Sequence, residues 1–407
     1  AGKLMARPLH IRNALVLQPS GEGFTRRDLF VASRFQSGAG ADALRLDLDG
    51  YMVLPGLINA HDHLELNHFP RTKFREYYDN AHQWGDDVNA RLNSEPFRTL
   101  RAFPLKDRLF IGGLKNLLAG ATTVAHHNPP HKLLFHSGFP VHVVRRYGWA
   151  HSLHFSTADE IRASYAATPP DAPWMIHLAE GTDAVARSEY TRLKALGCAG
   201  PNTVLVHGVS ITPEPDLPGL VWCPSSNLFL LGQTLDTTQI DAFPLVALGS
   251  DSRLTADGDL LDELRCADRV SGLSAERLLR MVTTDAARLL RLTNVGRLTS
   301  GAQADFIIVR ANDDSPREAT TLRRSDLALV VKDGVPQVGD PEIMARFPGL
   351  PAVPARLDGA PKLIHRRLAV RYLECTLVEP GLEIEPLAPA RRWFRLPGYR
   401  RTQAHDG

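Results

Sequence analysis

Val53-Leu54-Pro55-Gly56-Leu57-Ile58-Asn59-Ala60-His61-Asp62-His63 is an apolar run that closes on two histidines one residue apart. Successive side chains of a strand point to opposite faces, so His61 and His63 share one face and Asp62 takes the other. Neutral imidazole is the commonest protein ligand for zinc and related metals, and two such rings on one face make half of a metal site. In a chain with 16 histidines the pair alone is a weak signal, and two unrelated surface histidines are the competing reading.

Four more stretches of the same design follow. Trp174-Met175-Ile176-His177-Leu178-Ala179-Glu180 and Thr203-Val204-Leu205-Val206-His207 are apolar runs ending in histidine, the first with a glutamate three residues on. Leu220 to Asn227 ends in Cys223-Pro224-Ser225-Ser226-Asn227, and Leu245 to Ser252 ends in Gly249-Ser250-Asp251-Ser252. Taken singly, His207 reads as a satisfied core histidine and Asp251 as a helix N-cap. Taken together they need another reason, because independent core residues do not fall always at the C-terminal end of a strand. That placement is what a (β/α)8 barrel asks of an active site.

Residues 53–63, 120–124, 177–180, 207, 223–227 and 249–252 resemble the metal-dependent amidohydrolase superfamily, in its branch of aminohydrolases acting on nitrogen heterocycles, such as guanine deaminase and the chlorotriazine hydrolases. The resemblance spans roughly residues 45–310. It is carried by Pro55 to His63, by His177-Leu178-Ala179-Glu180 and by Cys223 to Asn227, with Gly120-Ala121-Thr122-Thr123-Val124 as weaker support.

The resemblance implies an α/β fold: a (β/α)8 TIM-like barrel over residues 55–294, flanked by a small β-sandwich from residues 6–54 and 295–345, with a C-terminal extension over 346–407. Pro8 to Gln18, Asp28 to Ala32, Ala43 to Leu48 and Tyr51 to Leu54 read as strands, and Gly296 to Val309 and Leu327 to Lys332 with Gly334 carry strand and turn signals. Ala286 to Leu292, inside the pattern Ser274 to Leu292, reads as a late helix, with Ser274 as its cap. Only about 45 residues separate the strand ending near His127 from the one ending at His177, too few for two regular βα units. Val141 to Arg146 and His151 to Ser156 are the strand candidates there and Ala158 to Ala167 the helix, so a distortion is expected at the third and fourth barrel strands.

Two-metal members of the superfamily bridge their ions with a carboxylated lysine after the fourth strand, and no lysine lies between Lys132 and Lys194. The resemblance therefore implies one divalent ion, Zn or Fe, held by His61, His63 and His177 with Asp251. Catalysis would fall to Glu180 as proton carrier, to His207 as hydrogen-bond donor to the developing tetrahedral centre, and to Asp251 as orienter of the water. The expected reaction is attack of metal-generated hydroxide on a trigonal carbon, deaminating a small nitrogen heterocycle. Hydrolysis of an amide, another C–N bond or a C–halogen bond is the alternative, and a non-catalytic binding relative the second.

In similar enzymes the loop after the clamp, here Leu64 to Ala90, covers the bound ring. Trp84 is a candidate to stack on it, Arg71 to grip a carboxylate or ring carbonyl, and His68, His127 and His151 to line the wall; ordinary solvated loop residues are the competing reading. Cys223 lacks an obvious base and is not read as a nucleophile.

A chain of 407 residues exceeds the ~250 typical of a barrel. A formal charge of +2 with 23% charged residues points to neither nucleic acid nor a membrane surface. Four cysteines without C-x-x-C spacing, no apolar run near the ~20 residues of a membrane helix and no secretory leader fit a cytoplasmic enzyme with a small-molecule substrate. Homo-oligomerisation stays open. Residues 1–4, ahead of Met5, read as an expression remnant, and the arginine-rich stretches Leu363 to Glu374 and Trp393 to Arg401 as a tail packed over the sandwich or a neighbouring subunit.

Overall fold

The computed structural model describes residues 7–38 and 40–385. Eight strands run in chain order around the barrel: β1 Leu57–Asp62, β2 Ala121–His126, β3 His142–Val143, β4 Gly148–Ser152, β5 Trp174–Leu178, β6 Thr203–His207, β7 Gly219–Trp222 and β8 Val246–Leu248. All ladders between them are parallel, β3 to β2 to β1 in one sheet and β4 through β8 in another. Between β8 and β1 the Asp251 amide donates to the His61 carbonyl at 3.0 Å.

The expected distortion lies at the other seam. β3 has two residues, no helix separates it from β4, and the two sheets part there. The strand anticipated over His151 to Ser156 is instead Gly148–Ser152, because the Ser152 hydroxyl accepts from the amides of His154 and Phe155 and turns the chain.

The helices used below are α1 Ala81–Asn89, α2 Phe97–Ala102, α3 Leu105–Leu118, α4 Ala158–Ala167, α5 Ala184–Ala195, α6 Pro224–Leu231, α7 Leu260–Ser271, α8 Ala275–Met281 and α9 Thr284–Leu289. α4 begins with a capping box between Thr157 and Glu160, satisfying two otherwise orphaned amides. Ser274 caps α8 by accepting from the Arg277 amide, but the single late helix is broken into α8 and α9. The cause is tertiary: the Val282 carbonyl at the break accepts from the Ile58 amide of β1 at 2.8 Å.

Strands from both flanks form a nine-stranded sheet, with Phe306–Arg310 antiparallel to Tyr51–Pro55, and a four-stranded sheet lies against it. Alternation sorts the larger sheet's side chains. Val53, Phe306 and Ile308 pack toward the four-stranded sheet, while Met52, Leu54, Ile307 and Val309 join the barrel's hydrophobic core. Residues 352–357, 360–365 and 382–384 continue the nine-stranded sheet, so a boundary at 345 divides one sheet. Trp393 to Arg401 lies outside the described residues; within Leu363 to Glu374, Arg371 pairs with buried Asp107 of α3 at 2.7 Å. Among the described residues no helix is long and apolar enough to cross a membrane.

Candidate active site

The strand ends converge. His61 Nε2 and His63 Nε2 each lie 3.3 Å from His177 Nε2, and 3.7 and 3.6 Å from Asp251 Oδ1. Donors about 2.0–2.1 Å from a common ion in a tetrahedral shell stand about 3.3–3.4 Å apart. These four distances suit a single divalent ion, and three imidazoles with one carboxylate are a zinc-type donor set; His61 also groups within 4.8 Å with His127 and His177, and with His207 and Asp251.

Two of the rings are held in a fixed tautomer. His61 Nδ1 faces His127 Nδ1 at 3.2 Å, and His127 Nε2 lies 3.0 Å from the Ala150 carbonyl. His127 thus donates to Ala150 and accepts from His61, leaving the Nε2 lone pair of His61 free toward the centre. His177 Nδ1 donates to the His151 carbonyl at 2.8 Å, which fixes its tautomer in the same sense. His63 Nδ1 has no such partner among the described residues. Burial, reinforced by neighbouring histidines, holds the pKa of His61 and His177 well below the usual imidazole range, so both stay neutral, the form that binds metal.

Asp251 is held on both oxygens: Oδ2 accepts from Ser226 Oγ at 2.8 Å and Thr255 Oγ1 at 2.9 Å, and Oδ1 from the Ser252 amide at 2.8 Å. Burial raises its pKa, but His63, His207 and the two hydroxyls outweigh it and the net shift is downward. Asp62, on the opposite face of β1, bonds Lys115 Nζ at 2.9 Å inside a buried cluster with Asn59, Asn67, Asn116 and Ser250. Gly249 must be glycine for space: a Cβ there would stand 2.5 Å from His61 Cβ and 2.8 Å from Val221 Cγ1.

Glu180 Oε2 lies 3.4 Å from His207 Nε2. Burial, then the charges of Asp251 and Glu189, raises the Glu180 pKa well above the ordinary carboxylate value. The Asn227 side-chain amide donates to His207 Nδ1 at 2.9 Å, leaving the ring proton on Nε2 toward Glu180. Burial lowers the His207 pKa to about 4, so it is a neutral donor at pH 7. Ala179, His207 and Asp251 all have positive φ (54°, 77° and 50°), an uncommon conformation for residues with a Cβ that clusters at functional sites.

These groups open into a cavity of about 440 Å³. Trp84 and His151 line it as expected, with Trp84 Nε1 donating to the Thr72 carbonyl. The other three wall candidates are elsewhere. His127 sits behind His61; His68 bonds the Leu100 carbonyl at 2.8 Å and stands off the cavity; Arg71 is used up by Thr255, Asp257 and Ser225. An arginine with three protein partners has little left for a ligand, which loop composition does not reveal. Sequence reading also missed Ser226, Thr255, Asn227 as the orienter of His207, and Glu189, whose Oε2 accepts from the Ala179 amide at 2.6 Å and whose Oε1 lies 3.2 Å from His82. Cys223 is fully buried with its thiol pKa pushed well up by burial, which argues against a nucleophilic role.

Residues 142–338 match the family model described as the amidohydrolase family. The match covers just under half of the chain, from β3 through β8 and into the strands that follow the barrel. The chain is 29% identical over 195 residues to a 5-methylthioadenosine/S-adenosylhomocysteine deaminase of Carboxydothermus hydrogenoformans, covering 40% of this chain and 45% of that protein. A protein of the same description from Natronomonas pharaonis is 26% identical over 416 residues, 84% of this chain and 92% of that one. The matches to the first four curated relatives span less than half of each relative's length. In fold, the chain is similar to an adenosine deaminase from Xanthomonas campestris with bound zinc, at a TM-score of 0.67 and 16% identity over 82% of this chain and 93% of that one.

Proposed function

We propose that the chain is a metal-dependent hydrolase that deaminates a small nitrogen heterocycle. The observation that carries this reading is the ring of four donor atoms on His61, His63, His177 and Asp251, with Glu180 and His207 paired beside it at the wall of one cavity. A zinc or iron ion held by these four side chains would supply hydroxide at neutral pH by lowering the pKa of water from 15.7 toward about 7.

The chain's own groups account for the rest. Glu180, whose pKa burial pushes well above the ordinary carboxylate range, can carry a proton to a ring nitrogen or leaving amine. His207, neutral and protonated on Nε2, donates toward charge developing at the attacked carbon, a service commonly worth about 2.7–4 kcal/mol. Asp251, ionised and held by Ser226 and Thr255, keeps one oxygen toward the centre to orient and deprotonate water. The two curated relatives named above are described as deaminases, which favours nitrogen as the leaving group.

The test is ammonia release from a panel of aminopurines, aminopyrimidines, pterins and aminotriazines by the metal-loaded protein. Stoichiometric ammonia with one member supports deamination. A carboxylate product without ammonia would assign amide hydrolysis, and chloride release C–halogen hydrolysis.

A further inference from the structure

Much of the cavity wall is apolar. Phe69, Val88, Phe97 and Leu254 form one buried cluster with Leu66 and Leu92 packed against it, and all six line the space. Two guanidinium groups line the same space: Arg101 on α2 and Arg108 on α3. Neither has a carboxylate within 4 Å among the described residues. The side chain of Arg101 donates to the Leu92 carbonyl at 3.2 Å, and Arg108 Nε is buried with no hydrogen-bond partner. Burial lowers the Arg108 pKa, Glu65 offsets part of this, and Arg101 lowers it further, so the two cations feel each other. Glu65 Oε1 accepts from the Asn128 side-chain amide at 2.6 Å, while its Oε2 has no hydrogen-bond partner among the described residues and, 3.8 Å from His126 Nδ1, lies beyond 4 Å of either guanidinium.

Two like charges beside an apolar wall, one with an unsatisfied buried N–H, are costly unless something anionic meets them. Guanidinium groups present planar forks that match carboxylate and phosphate oxygens. We propose that Arg101 and Arg108 bind an anionic oxygen group carried by the substrate, so that the favoured substrates are acidic derivatives of the heterocycle, with a carboxylate or phosphate reaching past the apolar wall. The proposal rests on the deaminase reading for the fate of the ligand, but not for its binding.

The experiment uses the metal-loaded full chain and two sets of probes, adenosine and guanosine, each as the neutral nucleoside, the 5′-carboxylate and the 5′-phosphate. Binding is measured by calorimetry and ammonia release is followed separately. At least one set should show an acidic member binding at least about tenfold tighter than its neutral parent. The preference should shrink to within about threefold in the Arg101→Gln/Arg108→Gln double variant, and measurably in Arg101→Gln alone, whose exposed position makes loss of folding an unsuitable explanation. Which acid gains shows whether carboxylate or phosphate is recognised. Equal binding within each set, no binding by any of the six, or a preference that survives both substitutions overturns the proposal. Acid-selective binding without ammonia from any probe would count against the deaminase reading and leave the anion site standing; ammonia release without acid preference would do the reverse.

Discussion

Glu379, 128 residues after Asp251 in sequence, grips Arg253 in a bidentate pair of 2.8 and 2.6 Å, two residues beyond Asp251 itself. Glu379 is fully buried and also accepts from Arg324 at 2.7 Å, while the Arg253 amide donates to Asn67 Oδ1. The C-terminal segment therefore fastens the loop that carries Asp251.

Removing one partner of such a buried pair leaves uncompensated charge, and Glu379→Ala should cost about 3–5 kcal/mol. Urea unfolding at fixed pH checks this. A loss under about 1 kcal/mol would show that the pair does not brace the loop.

Glu180→Gln should keep metal and ligand binding yet lose turnover about 10²–10⁴-fold, because the amide cannot carry a proton. A variant that keeps more than about a tenth of wild-type kcat would remove Glu180 from proton transfer.

Gly249→Ala should lower metal occupancy by displacing His61, its added Cβ having no room beside the His61 and Val221 side chains. Elemental analysis of protein purified without added metal decides. Unchanged occupancy would mean that the strands give way at little cost.

Where the barrel meets the nine-stranded sheet, His142 Nε2 lies 3.4 Å from both Asp305 and Asp333. Burial disfavours charge on His142, but the two carboxylates outweigh it and raise its pKa to about 9. Burial likewise opposes charge on Asp333, yet His142 and Gln303 bring its pKa down to about 2. The raised His142 pKa gives stability that is full below about 6.5 and is lost as pH rises through about 9; the lowered Asp333 pKa gives stability present above about 3.8 and lost as pH falls through about 2. The stability difference between wild type and His142→Asn should accordingly be largest between about pH 4 and 6.5 and fall toward pH 9. A difference flat from pH 6 to 9 would contradict the triad's charge state.

Much of the site was legible because its signals are local. His61 and His63 share a strand face, Glu180 stands at a fixed offset from His177, and each motif ends an apolar strand, so a short window shows residue type and position together. The helix expected over Ala158 to Ala167 is equally local, beginning where Thr157 and Glu160 form its capping box. What escaped depends on distant partners. Nothing in spacing ties Asn227 to His207, Lys115 to Asp62 or Ser226 to Asp251. Arg71 and His68 looked available because loop composition does not reveal that Thr255, Asp257, Ser225 and the Leu100 carbonyl satisfy them. The break between α8 and α9 follows from a hydrogen bond to β1 that no helical pattern foretells.

Metal content is the most direct test of a single catalytic ion among His61, His63, His177 and Asp251. Elemental analysis of the purified chain should find close to one equivalent of zinc or iron, falling toward zero in His61→Ala and in Asp251→Ala. Two equivalents per chain, or wild-type metal content in both variants, would contradict it.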